Sequence, residues 1–164
     1  MSKADYLFAA AIALGIATAA SAQPADTSLI HGTAWLNKQM AALAERQSAD
    51  GWRVTPSGLR WRRVAGDGTG ARPGPTDRVT VHYVGTFADG REFDSSIRRG
   101  EPTSFPLNRV IKGWQEGVAL MGVGDKVELA IPWQLGYGAE GKGPIPGGAT
   151  LLFTVELLGI DPAA

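Results

Sequence analysis

The apolar and polar positions divide the chain into a leader, a short helical stretch, and a body of strands around a second helix. Tyr6 to Ala19 is mostly apolar, Lys3 precedes it, and Ala20-Ser21-Ala22 follows as an A-x-A cleavage site. A membrane span needs about 20 residues, more than this run supplies. Residues 1–22 therefore read as an export signal, with Gln23 as the mature start. Asp5 is out of keeping with a basic n-region, and an uncleaved anchor is the alternative. Residues 23–50 read as a linker and a short N-terminal helix. The linker, Gln23 to Ile30, contains Pro24. From Thr33 to Gln47 the apolar residues Trp35, Leu36, Met40 and Leu43 recur at helical steps, and Thr33 is the expected N-cap. This helix either packs on its own domain or docks a partner.

Residues 51–164 read as one domain. Asp50-Gly51 ends the helix, and Pro56-Ser57-Gly58 marks a turn. Leu59–Val64 alternates, and Gly66–Pro75 is a loop. Arg78–Phe87 is the clearest strand, with Val79, Val81 and Tyr83 on one face and Thr80 and His82 on the other. Asp89-Gly90 signals a hairpin, and its return strand carries Glu92, Phe93 and Asp94. A charged loop, Arg98 to Glu101, leads to a short apolar piece at Phe105 and Leu107. Lys126–Ile131 and Leu151–Leu158 alternate again. Between them, Pro132–Gly148 is a long Gly/Pro-rich loop, a length usually functional or disordered.

One stretch breaks the strand rhythm. In Val110–Met121 the residues Ile111, Trp114, Val118 and Met121 fall on one helical face. A helix of about three turns is not stable alone, so the flanking strands are expected to wrap it. Gly113 and Gly117 each cost about 1 kcal/mol of helix propensity, and are expected where another backbone comes close. Antiparallel strands curled around one buried helix give an α+β fold.

Composition narrows the chemistry. The chain has 164 residues, 44% of them hydrophobic, enough for a core. Formal net charge is zero. The first 22 residues hold one Lys and one Asp, so the mature chain is also neutral. This removes the electrostatic case for nucleic acid or an anionic membrane. No cysteine is present, which excludes disulfides, thiol catalysis and a lipid-modified N-terminal cysteine, and two histidines make a multi-histidine metal centre unexpected. There is no Gly-x-Ser-x-Gly elbow, and no Gly-x-Gly pair sits between a strand and a helix as a phosphate loop requires. Glu92 and Asp94 lie two apart on a strand and share a face, a weak acid/base signal. Tyr83, Phe93, Phe105, Trp114, Tyr137 and Phe153 come from separate segments around the helix. They are either its core or an apolar cup with a few polar tips, the usual build of a ligand pocket. Trp114 would then be the floor.

Val81-His82-Tyr83-Val84-Gly85, Phe93-Asp94-Ser95-Ser96, Val110 to Gly117, Tyr137-Gly138, Ile145-Pro146 and Ala149 to Leu158 follow one another in that order. In these motifs the chain, from about Pro56 to Ile160, resembles the FKBP-type peptidyl-prolyl cis-trans isomerases. Thr55 to Leu59 and Phe105-Pro106-Leu107 resemble exported bacterial members. The resemblance implies a half-open antiparallel β-sheet curled around the short helix. It places Trp114 under the proline ring, Tyr83, Phe93, Phe105, Val110, Ile111 and Phe153 as walls, and Ile145 as the lip. It implies that the Tyr137 hydroxyl and the Ile111 N–H face substrate carbonyls, and that Asp94 sits at the edge, tied to Tyr83 or Arg99. A turn carboxylate bonding Ser95 or Ser96 is the alternative for Asp94.

The activity implied is non-covalent isomerisation of Xaa-Pro bonds in exported, periplasmic proteins, without metal or cofactor. Partners would be proline-containing unfolded polypeptides, with macrolides as candidate ligands. A chaperone or proline-peptide binding module with little activity is the competing reading. Three departures bear on it: Thr103 stands at a wall position often aromatic, the chain is about two residues shorter between Leu107 and Val110, and the Gly-rich lip Gly141–Gly148 is expected to be mobile.

Overall fold

The computed structural model describes residues 32–162. Helix α1 (Thr33–Ala44) leads through a short 3-10 turn (Ser48–Asp50) into strands β1 (Arg53–Val54), β2 (Arg60–Ala65), β3 (Arg78–Phe87) and β4 (Glu92–Ser95). Then come α2 (Ser96–Arg99), β5 (Thr103–Pro106), α3 (Lys112–Ala119), β6 (Lys126–Ile131), β7 (Gly141–Lys142), β8 (Ile145–Pro146) and β9 (Leu151–Asp161). The main sheet runs β1-β2-β6-β9-β3-β4, with β5 also on β3. Every pairing is antiparallel, and β7 and β8 form a separate hairpin. This is the expected α+β architecture.

The period-two pattern becomes the two faces of the sheet. Val79, Val81 and Tyr83 of β3, Val127, Leu129 and Ile131 of β6, and Leu151, Phe153, Val155 and Leu157 of β9 all point inward and are buried. Ile111, Trp114, Val118 and Met121 meet them as one fully buried stripe. The regular helix α3 begins only at Lys112, with Ile111 as its N-cap and Val110 in extended backbone before it. Gly113 and Gly117 do mark close approach, but of side chains, not of another backbone. A Cβ on Gly113 would lie 2.5 Å from Ile131 Cγ2, and one on Gly117 2.8 Å from Leu129 Cδ1. The sheet's inner side chains are seated directly on the bare helix surface.

Several expectations are corrected. Gly32, not Thr33, is the N-cap of α1, and the helix ends at Ala44. Its buried residues are Gln39 and Ala42, with Trp35 and Leu43 half-buried beside them, while Leu36 and Met40 are exposed, so only part of the apolar stripe lies on the face that packs. The charged loop begins as α2, because the Ser95 hydroxyl accepts the Arg98 N–H at 3.1 Å and Gly100 closes the turn at φ 79°. The long loop holds the β7–β8 hairpin, in which Gly141 pairs with Pro146 and Lys142 with Ile145. Glu92 and Asp94 do not act as a pair: the β3–β4 register shifts between them, leaving Glu92 exposed and Asp94 buried.

Candidate functional site

Three strands and α3 converge on Trp114, whose ring is fully buried. The Tyr83 ring meets it at 5.2 Å and 90°, the Phe153 ring at 5.2 Å and 90°, and the Phe105 ring at 5.5 Å and 63°. Phe93 reaches the same cluster through Phe153, at 5.5 Å and 90°. Such edge-to-face contacts suit aromatic quadrupoles and fix the rings as walls. Gly85 is required here. A Cβ there would come within 2.7 Å of both Phe93 and Phe153. Val110, Ile111 and Ile145 are buried in the same hydrophobic core, and Tyr137 is half-buried against it. Ring contacts thus join Tyr83, Phe93, Phe105, Trp114 and Phe153, and the other proposed apolar residues share their core.

One edge is polar. The Tyr83 hydroxyl donates to Asp94 Oδ2 at 2.5 Å, and Arg99 donates to Asp94 Oδ1. A second Arg99 nitrogen donates to the Tyr83 hydroxyl at 3.0 Å and to Thr103 Oγ1 at 3.1 Å. Asp94 is thus tied to both Tyr83 and Arg99. Thr103 anchors the guanidinium. No pattern along the chain signals that bond. Burial pushes the Tyr83 hydroxyl well above the usual tyrosine range, and its bond to Asp94 adds to this. Burial also raises Tyr137, with a further contribution from the Asp94 charge. Both hydroxyls therefore remain protonated donors at neutral pH. The Asp94 carboxylate is committed to an ion pair and a hydrogen bond, which leaves it poorly placed to take a proton from substrate.

A separate cavity of about 380 Å³ opens on the outer face of the sheet, lined by Arg46, Trp52, Arg62, Val84, Glu128, Leu152 and neighbours. Among the sequence-proposed residues only Phe153 touches it. Among the described residues, no group of three or more His, Asp or Glu side chains is placed to hold a metal.

Residues 70–158 match the profile of the FKBP-type peptidyl-prolyl cis-trans isomerases, and the chain belongs to that family. It is 54% identical over 123 residues to FKBP-type peptidyl-prolyl cis-trans isomerase FkpA of Aeromonas hydrophila, covering 74% of this chain and 46% of that one. It is 53% identical over 119 residues to the FKBP-type 22 kDa peptidyl-prolyl cis-trans isomerase of Escherichia coli K12, covering 72% and 57%. The crystal structure of FkpA from Escherichia coli superposes with a TM-score of 0.72 at 40% identity, covering 78% of this chain and 61% of that one. The chain spans about half the length of the curated relatives it matches.

Proposed function

We propose that the protein is a peptidyl-prolyl cis-trans isomerase acting on Xaa-Pro bonds of unfolded, exported polypeptides. The observation that carries this reading is the Trp114 floor, met edge-on by Tyr83, Phe105 and Phe153. Residues 1–22 act as the leader, 23–50 as linker and helix, and 51–164 as the isomerase domain. The leader supports export to a periplasm. Macrolides that present a proline-like ring are candidate ligands of the same cup.

The chemistry needs no covalent step. Rotation about a peptide bond costs about 18–20 kcal/mol, because resonance is lost at the twisted state. The twisted amide carries less charge separation than the planar one. An aromatic cup therefore disfavours it less than it disfavours the planar form. Trp114 supports the proline ring from below, and Tyr83, Phe93, Phe105, Val110, Ile111 and Phe153 hold it laterally. Ile145 closes the lip. The preceding carbonyl then swings towards the Tyr137 hydroxyl and the Ile111 N–H at the helix start. Asp94 fixes Tyr83 and, with Arg99, the polar edge. Contacts made only in the twisted state lower the barrier. One hydrogen bond worth about 0.5–1.5 kcal/mol gives roughly two- to twelve-fold in rate.

Proline-limited refolding and isomerisation of a short Xaa-Pro peptide test the reading on the mature chain. Tyr137→Phe should slow the reaction by that factor, and Trp114→Ala should abolish it. Rates unchanged in both variants would remove the site. Thr103, at a wall position expected to be aromatic, favours the second reading of a binding module. Suppressed aggregation without isomerisation of the peptide would establish that instead.

A further inference from the structure

Gln39 is an oddity. It lies in α1, whose neighbour Met40 is 66% exposed, yet Gln39 is only 8% exposed. Its side-chain oxygen accepts the Thr150 N–H at 2.9 Å, across 111 residues of sequence. Its own backbone carbonyl accepts the Thr150 hydroxyl at 3.1 Å. Thr150 is itself buried and directly precedes β9, so its N–H lies outside the sheet ladder, which begins at Leu151. Packing alone would be served by an apolar residue at position 39. A buried amide there has a specific task, to satisfy a buried N–H that would otherwise cost stability.

One turn earlier on α1, Trp35 lies against the same segment. A Cβ on Gly148 would be 3.4 Å from Trp35 Cζ3. The Gly148 N–H in turn donates to Gly138 O at 2.9 Å, and the Gly138 N–H to Trp133 O at 2.9 Å. Gly147 is pressed on Ala139, where a Cβ would lie 1.9 Å from the carbonyl oxygen. The stretch from Gly138 to Gly148 is therefore a loop closed at its base by Gly138 and Gly147–Gly148, two residues before Thr150. Helix α1 grips that base from outside. Ile145 lies within the loop, and Tyr137 directly precedes its base.

We propose that Gln39 is a positioning residue of the isomerase site. Through Thr150 it fixes the base of the loop that presents Tyr137 and Ile145, so α1 sets how tightly the cup holds a peptide. This rests on the isomerase reading given above. The residue does not touch substrate. Its effect should fall on the population of the loop ready for binding, and hence on KM more than on kcat.

The test uses the full mature chain, with KM and kcat measured separately on an Xaa-Pro peptide. Gln39→Leu keeps the volume and removes the acceptor. It should raise KM by about three- to ten-fold, the scale of one lost buried hydrogen bond, with kcat within about two-fold. Hydrogen exchange at the Thr150 amide should speed up in the same variant. Gln39→Glu keeps an acceptor for Thr150 and should restore most of the KM. Trp35→Ala loosens the grip from its other end, and stands in should Gln39→Leu fail to fold. Unchanged KM in a folded variant with a lower Tm would overturn the proposal, reducing α1 to a stabilising element. A wild-type chain with no isomerase rate would instead sink the isomerase reading itself, and this inference with it.

Discussion

Replacing Gly113 by alanine tests how α3 is keyed to the sheet. The added methyl would meet Ile131 Cγ2 at 2.5 Å, Cδ1 at 2.9 Å and Cγ1 at 3.0 Å. Carbon atoms rest about 3.5–4.0 Å apart, so about 1 Å must be found. Cγ2 sits on the branched Cβ of Ile131 and moves aside only by rotation about a stiff χ1. Overpacking of this kind costs about 1–3 kcal/mol, and the gain in helix propensity returns about 1 kcal/mol. Gly113→Ala should therefore destabilise by up to about 2 kcal/mol. At Gly117 the obstacles are Leu129 Cδ1 and Cδ2, both at 2.8 Å, the ends of a chain that can rotate. Gly117→Ala should cost less. Ile131→Ala removes all three obstructing atoms at a cost of about 2–5 kcal/mol. In that background Gly113→Ala should become stabilising, giving a coupling of about 1–3 kcal/mol. Urea unfolding of the four chains, with equal slopes, measures the cycle. Effects that add to within about 0.5 kcal/mol would refute the keyed contact.

Arg99→Met should destabilise by about 3–5 kcal/mol, because it leaves the Asp94 carboxylate buried without its counter-charge; Tyr83→Phe, which removes only the hydroxyl bond, should cost about 1–3 kcal/mol on the same urea scale. The buried Asp125 carboxyl loses hydration, but the N–H groups of Gly122 and Gly68 and the Arg63 guanidinium outweigh this and hold it below the usual range. A carboxyl depressed in the folded state contributes stability that is present above its unfolded value of about 3.9 and lost as pH falls through the folded one. Thermal melts of Asp125→Asn between pH 2 and 6 should therefore show a flatter acid limb than wild type, and a parallel limb would count against the role. Cleavage after Ala22 leaves Tyr83 and Tyr137 as the only tyrosines. With both raised by burial, ultraviolet titration of the mature chain should show no phenolate near pH 10 until alkaline unfolding, whereas a reversible native titration there would disprove their burial.

Strands β3 and β6 were legible to the residue, because one buried face and one wetted face leave a period of two that a slip would invert. The aromatic set was legible through motif order, and the two glycines through their mismatch with a helix. What escaped has physical causes. Helix α1 packs through Gln39 and Ala42 together with Trp35, so its apolar residues marked the packing face only in part, and Leu36 and Met40 pointed away from it. A buried amide that serves a backbone N–H leaves no apolar period to read. Helix α2 did leave a signal, Ser95 as cap and Gly100 as stop, but four residues are too few for periodicity. The β7–β8 hairpin is two residues a side and framed by glycines, so it has no pattern of its own. The Arg99 to Thr103 bond spans a turn whose geometry the sequence does not display.

The place of β9 has a consequence for the order in which the domain can assemble. It is the last of the described strands, yet it lies between β6 and β3, which do not pair with each other. Without it the sheet separates into β1-β2-β6 on one side and β3 with β4 and β5 on the other. Neither three-stranded piece has the inner face of β9 to pack on, so each is left with only part of the core around α3. A growing chain therefore cannot close around Trp114 until residues 151–161 have been made, since domains fold as units. A chain read as carrying an export leader would thus stay open until that strand is made, the extended form in which a polypeptide is threaded across a membrane.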